Sequence, residues 1–207
     1  LQDIPVAVNA FSADTIQEAG INNAGDLAIM TPALNINVNQ SPFNARMTIR
    51  GIGTAQTDPA LEPSVGLFVD GVFFGRTGLG MSDLTDIERI EVLQGPQGTL
   101  YGRNTTAGVV NVITKKPEEE FGGFIDASYG DYDYIRTRGA INIPLTDSVR
   151  QRFSLFYVER DGYVDNVFNG DEIDGRDMYA LRSSTLLQLS PATDATLMVN
   201  YFEEDSD

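Results

Sequence analysis

Residues 89–114 read Arg89-Ile-Glu-Val-Leu-Gln-Gly-Pro-Gln-Gly-Thr-Leu-Tyr-Gly-Arg-Asn-Thr-Thr-Ala-Gly-Val-Val-Asn-Val-Ile-Thr114. A β-branched strand over 89–93 runs into a Gly-Pro-x-Gly turn. Helix-compatible residues follow, then a glycine-spaced loop and a second strand over 109–114. Gly95, Gly98, Gly102 and Gly108 mark places where the backbone takes unusual dihedrals or another segment comes close. A phosphate-binding loop would need Gly-Lys-Ser/Thr after a four-residue gap, whereas Gly102 is followed by Arg103 and Asn104. A dinucleotide fingerprint needs a long helix next, which these β-branched residues and glycines do not form.

Composition narrows the chemistry. The 207 residues contain no cysteine and no histidine. Disulfides, thiolate metal sites and cysteine nucleophiles are therefore absent, as are imidazole acid/base chemistry and His-dependent triads or zinc sites. No spacing recommends a Ser-Lys or paired-carboxylate enzyme, and neither a cofactor nor a metal is expected. The formal net charge of −16 argues against a nucleic-acid surface, which needs basic patches to displace counterions. No run approaches the roughly 18 apolar residues of a membrane helix. Barrel strands of about ten alternating residues would escape that test. The chain opens at Leu1 without a leader and closes on Glu203-Glu-Asp-Ser-Asp207 after a strand-like run, so both ends read as cuts.

The first 115 or so residues mix short strands and helices, as a small α+β domain does. Residues 1–10 read as extended. Ser12 and Asp14 offer N-caps for a helix through Glu18 closed by Gly20, and a second helix spans 24–30 before Thr31-Pro32. Strands are expected over 34–38, 47–51 and 65–69. Asp70-Gly71 is a hairpin turn returning through 72–74, and residues 84–88 read as a helical turn.

Taken in order, Ile4-Pro-Val-Ala-Val8, Ile49-Arg-Gly51, Val69-Asp-Gly71, Asp86-Ile-Glu-Arg-Ile-Glu-Val92 and the 89–114 block resemble the plug domain of TonB-dependent outer-membrane receptors. The resemblance covers residues 1–117.

From residue 118 the pattern changes to long alternating strands. In the strand over 134–143, Ile135, Thr137, Ile141 and Ile143 share one face, opposite Arg136, Arg138 and Asn142. Phe153, Leu155 and Tyr157 oppose Arg152 and Ser154. Leu181, Thr185, Leu187 and Leu189 oppose Arg182, Ser184 and Gln188. Leu197, Val199 and Tyr201 oppose Thr196, Met198 and Asn200. The tip at Gly130-Asp131 and the polar loop 161–177 fall on one side, and two Pro-containing turns, 144–147 and 190–194, on the other. Five such strands suit a soluble sandwich as well as a barrel. Short turns against long loops, behind a plug-like block, favour an outer-membrane barrel. The fold class expected is an α+β plug domain (1–117) followed by antiparallel transmembrane β-barrel strands (118–207), a truncated barrel.

The resemblance implies roles. Arg50 and Arg103 would pair with carboxylates on the inner barrel wall, and Arg136, Arg138, Arg152 and Arg182 would face the lumen. The polar, proline-punctuated loops 40–45 and 54–62 would meet ligand at the plug apex, through Gln40, Phe43, Asn44, Gln56, Asp58 and Glu62. The acidic loop 161–177 lacks calcium-loop spacing, since Asp165 is followed two positions on by Val167; it reads as a solvated extracellular loop. Glu118-Glu-Glu120 reads as a linker. The implied function is active import of a scarce or bulky ligand through a barrel of roughly 22 strands. A ferric siderophore is expected, with haem, cobalamin or oligosaccharide as alternatives. The implied partners are outer-membrane lipid and the TonB-ExbB-ExbD complex, reached through a TonB box upstream of Leu1. No nucleic-acid partner is expected, and the protein should be a monomer. A soluble binding module reusing the plug fold is the rival of a different class.

Overall fold

The computed structural model describes residues 7–21, 24–38, 45–54, 61–75, 85–165, 167 and 172–205. The chain divides into two compact units, Leu1–Thr114 and Lys115–Asp207.

The first unit runs β1 (Ala7–Ser12), α1 (Ala13–Glu18), α2 (Ala24–Met30), β2 (Leu34–Val38), β3 (Ala45–Ile49), β4 (Val65–Val69), β5 (Val72–Phe74), β6 (Ile87–Gln94), α3 (Gly98–Tyr101) and β7 (Gly108–Thr114). Five strands form a mixed sheet in the order β1-β6-β7-β4-β5, in which only β4 and β7 are parallel; β2 and β3 pair separately. The order follows from where β-branched residues fall. Val92, Val110 and Leu67 lie in one row across β6, β7 and β4, and all three are fully buried. Ile16, Ile21, Leu27 and Ile49 complete the same core. Ser12 caps α1, its Oγ accepting from the Thr15 amide at 3.3 Å, and Gly20 ends the turn at φ 65°.

Asp70 and Gly71 both take positive φ, 48° and 80°, as the tight hairpin between β4 and β5 requires. Asp70 also holds the end of β7: its carboxylate accepts from the Thr114 amide at 2.9 Å and the Thr114 hydroxyl at 2.8 Å. Asp70→Ala is expected to cost about 1–3 kcal/mol in urea unfolding, because two hydrogen bonds to a charged acceptor disappear. Asp70→Asn, which tolerates the same left-handed turn, separates that loss from backbone strain. Equal stability of all three proteins would show the contact to be idle.

Three local expectations need correction. Residues 85–86 form a turn, with Asp86 at φ 56°, and β6 begins at Ile87 instead of following a helical turn. Burial of Ile87 opposite Thr114 extends the strand. β3 stops at Ile49; Arg50 and Gly51 turn away with φ 53° and 77°. Gly98 takes no positive φ, and a Cβ there would meet nothing within 4 Å, unlike those at Gly95, Gly102 and Gly108 in one respect or the other.

The second unit runs β8 (Gly122–Tyr129), β9 (Ile135–Thr146), β10 (Val149–Arg160), β11 (Val164–Asp165), β12 (Glu172–Ile173), β13 (Arg176–Ser190) and β14 (Thr193–Asp205). Five of these form an antiparallel sheet in sequence order, while β11 and β12 pair inside the long loop. The strands are longer than sequence patterning indicates. Pro144 lies within β9, opposite Arg150, where a register shift relieves the ladder of its missing donor. The turns therefore shrink to Asp147-Ser148 and Pro191-Ala192.

The sheet has two unlike faces. On one, Ile141, Phe153, Ser183 and Val199 form a row, and Gly139, Leu155, Leu181 and Tyr201 the next. Phe153, Leu155, Leu181 and Val199 are exposed. On the same face, toward the long-loop end, Tyr179 and Tyr201 both donate to Glu203 at 2.6 Å, and Tyr157 donates to Glu159 at 2.6 Å. Toward the short-turn end, Gln151 donates to Ser183 Oγ at 2.8 Å and accepts from the Thr185 hydroxyl at 2.5 Å. The opposite face carries Arg136, Asn142, Arg152, Ser154 and Ser184, all buried.

Candidate functional site

Arg50 sits in the turn after β3. Its amide donates to the Ala33 carbonyl at 2.8 Å, and its Nε donates to Gln94 Oε1 at 3.0 Å. Gln94 in turn donates to Asn9 Oδ1 at 2.9 Å. The side chain thus meets an amide at the end of β6, and Arg50 ties the β2–β3 pair to the large sheet.

Arg103 lies in the glycine-spaced loop after α3. The loop is closed by backbone bonds from Gln97 to Thr105 and from Gly95 to Ala107, and by the Thr105 hydroxyl donating to the Gly102 carbonyl at 2.7 Å. Tyr101 packs its ring 4.9 Å from Phe68. Arg103 Nη1 approaches Glu62 Oε1 at 3.3 Å, with side chains 79% and 56% exposed. Sequence reading gave these two residues separate roles, one holding the wall and one facing ligand; the fold pairs them. Such an exposed pair contributes about 0–1 kcal/mol. Gln40, Phe43, Asn44, Gln56 and Asp58 lie outside the described residues, as does the segment 1–6 with the Ile4-Pro5 motif.

A third cluster went unread in the sequence. Arg89 and Glu91 share a face of β6, and Asn111 on β7 stands directly opposite Glu91. Arg89 Nε donates to Glu91 Oε1 at 2.8 Å, Asn111 Nδ2 donates to Glu91 Oε2 at 3.0 Å, and Arg89 also pairs with Glu88. Burial alone would raise the Glu91 pKa, but the hydrogen bonds from Arg89 and Asn111 and the Arg89 charge outweigh it and hold the carboxyl below its ordinary 4.5. Burial, aided by the Glu91 charge, pushes the Tyr101 phenol up. The signal was the period-two spacing of Arg89 and Glu91, legible only once β6 and β7 are known to pair.

A depressed folded pKa means that this contribution is complete above the unfolded carboxylate pKa and is lost as pH falls through the folded value. The urea midpoint of the first unit should therefore fall on acidification below about pH 4.5, and Glu91→Gln should flatten that slope. Identical slopes in the two proteins would remove Glu91 from the acid response.

In the second unit Arg136, Arg138, Arg152 and Arg182 share one face, as their spacing predicts. Arg150, Arg160 and Arg176 join them there. Arg138 Nε lies 3.5 Å from Asp126 Oδ1, and the Arg136 guanidinium stands 5.7 Å from the Phe156 ring centroid. Arg182 Nε donates to Asn200 Oδ1 at 3.0 Å. Arg160 and Arg176 oppose each other across β10 and β13, and each has its own carboxylate, Asp174 at 3.2 Å and Glu204 at 3.7 Å. The result is a cationic, hydrogen-bonded face on a chain of net charge −16. Between Arg136 and Arg176 lies an apolar patch of Phe156, Val158, Met178 and Ala180, against which Tyr134 and Phe202 pack. Among the described residues no three carboxylates are arranged to hold a metal ion.

Comparison with known proteins agrees with this architecture. The sequence profile of the TonB-dependent Receptor Plug Domain matches residues 1–109. The pesticin receptor of Yersinia pestis is 31% identical over 144 residues, covering 70% of this chain and 21% of that protein. The ferripyoverdine receptor of Pseudomonas aeruginosa is 28% identical over 171 residues, covering 80% of this chain and 20% of that protein. The crystal structure of the ferric yersiniabactin uptake receptor FyuA from Yersinia pestis matches with a TM-score of 0.87 at 26% identity, over 95% of this chain and 31% of that one. The chain spans about a fifth of the length of these curated relatives. It belongs to the TonB-dependent receptors, as their plug domain followed by antiparallel strands of the β-barrel wall.

Proposed function

We propose that the whole protein imports a ferric siderophore across the bacterial outer membrane, with residues 1–117 as the plug and 118–207 as the first part of the barrel wall. The observation that carries this reading is the two-faced sheet of the second unit, apolar and exposed on one side and arginine-rich on the other. A wall between lipid and an aqueous lumen needs that division. Two relatives are a ferripyoverdine receptor and a ferric yersiniabactin uptake receptor, which supports iron chelates as the cargo class. Arg136, Arg138, Arg152 and Arg182 would face the lumen. Arg50 and Arg103 would hold plug to wall through carboxylates on further strands, Arg103 exchanging its exposed partner Glu62 for a buried one. Glu62 and the loops 40–45 and 54–62 would meet the ligand. Energy would come from the TonB-ExbB-ExbD complex pulling on a segment upstream of Leu1, and the receptor would act as a monomer in outer-membrane lipid. No catalytic step is required.

The test is growth of a deletion strain on ferric siderophores, haem, cobalamin and oligosaccharides as sole sources. Loss of growth on one ferric siderophore, restored by the intact gene, is the expected result. A defect confined to cobalamin or a glycan reassigns the cargo. Undiminished growth on every source, with the protein in the soluble fraction, would sink the transporter reading.

A further inference from the structure

The linker that leads from the first unit into β8 is fastened to the wall at one buried side chain. Asn142 lies in β9 with no exposed surface. Its Oδ1 accepts from the Glu118 amide at 2.9 Å, and its Nδ2 donates to the carbonyls of Glu118 at 2.9 Å and Glu120 at 2.5 Å. Both amide hydrogens and the oxygen are committed to linker backbone, so the side chain copies the pairing of an additional strand. A neighbouring strand adds a second tie, Arg150 Nη2 to Glu119 Oε1 at 2.6 Å. Upstream of this staple, 115–117 carries neither strand nor helix.

Downstream, the arrangement is weak. β8 begins with Gly122 and Gly123, opposite Asn142 and Ile141, so its first two ladder positions have no side chains to pack. Gly123 is confined to glycine there, since a Cβ would run into the Ala140 carbonyl and come within 3.2 Å of Ile141 Cα. Tension entering β8 at Gly122 would fall first on a ladder end whose two leading positions are glycines. Tension stopped at Glu118 meets three bonds to one buried amide together, each costly to break because the freed group stays buried.

We infer that Asn142 is a positioning residue for transport. It ends the path of traction at Glu118, so that pulling on the plug rearranges the plug and the 115–117 segment while β8 stays in the wall. This rests on the transport reading. The wall then contains a built mechanical stop, made by Asn142.

The test compares the full-length receptor in lipid with its Asn142→Leu and Asn142→Asp variants, by amide hydrogen exchange and by force spectroscopy with the TonB C-terminal domain as the pulling handle. In Asn142→Leu the Glu118 amide should exchange about tenfold faster. The force at which β8 comes away from β9 should fall, because the three bonds at Glu118 no longer take the load ahead of Gly122. Asn142→Asp keeps the acceptor for the Glu118 amide and loses both donations, so it should fall between, and it serves if the leucine variant fails to assemble. Equal exchange and equal release force in wild type and variants overturn the proposal. A wild-type receptor to which the TonB domain does not bind overturns the transport reading instead, and the exchange comparison still decides whether Asn142 staples the linker.

Discussion

A single methyl group at position 108 should unseat the first unit: Gly108→Ala is expected to lose on the order of 3 kcal/mol or more of stability. Gly108 is the residue at which three strands meet, opposite Gln94 on β6 and Val65 on β4. A Cβ there would overlap the Leu93 carbonyl oxygen and sit 2.6 Å from Ile49 Cδ1, with the backbone already at φ 154°. The carbonyl belongs to the β6 ladder and cannot swing away without breaking pairing, and Ile49 is 1% exposed and has nowhere to go. Urea unfolding or limited proteolysis of the plug reads the loss. Gly98→Ala is the matched control, because position 98 has ordinary φ and open space around it. It should stay within about 0.5 kcal/mol of the parent. Equal damage at 98 and 108 would mean that close packing at Gly108 is not what sets the effect.

Leu155→Arg should be nearly as costly, for a different reason. Leu155 lies mid-strand in β10, in a row with Gly139, Leu181 and Tyr201 on the exposed apolar face. If that face meets acyl chains, an arginine at its middle loses about 2–4 kcal/mol, against about 0–1 near the interface. Ala195→Arg, on the same apolar face but near the short Pro191-Ala192 turn, provides the interfacial comparison. Folding from urea into lipid vesicles measures both. On a soluble sandwich an exposed leucine would accept arginine within about 0.5 kcal/mol, so a neutral Leu155→Arg would overturn the membrane assignment.

Much of the architecture was legible because alternation is a local property. Arg136, Arg138, Arg152 and Arg182 were placed on one face by period two alone, and Ser12, Gly20 and Asp70-Gly71 announced their turns through known backbone preferences. The errors fall where a local signal met a longer-range one. Pro144 reads as a turn residue until its pairing with Arg150 and the adjoining register shift show how the ladder tolerates it. Thr85-Asp86 reads as helical until burial of Ile87 against β7 pulls the strand back to that residue. The Glu91 cluster depends on two segments twenty residues apart being neighbours, and the Glu62–Arg103 pair on two loops meeting, neither of which spacing encodes.

The polar trio of Gln151, Ser183 and Thr185 bears on how the wall is assembled. An unpaired carboxamide entering hydrocarbon carries a desolvation penalty of several kcal/mol, and β10 alone offers Gln151 no partner on that face. Both partners come from β13, which the chain delivers only after the long 161–175 excursion. Lipid therefore selects an order of events: β10 and β13 must find each other in water or at the headgroup layer, and enter the bilayer as a pair whose polar groups are already spent on one another.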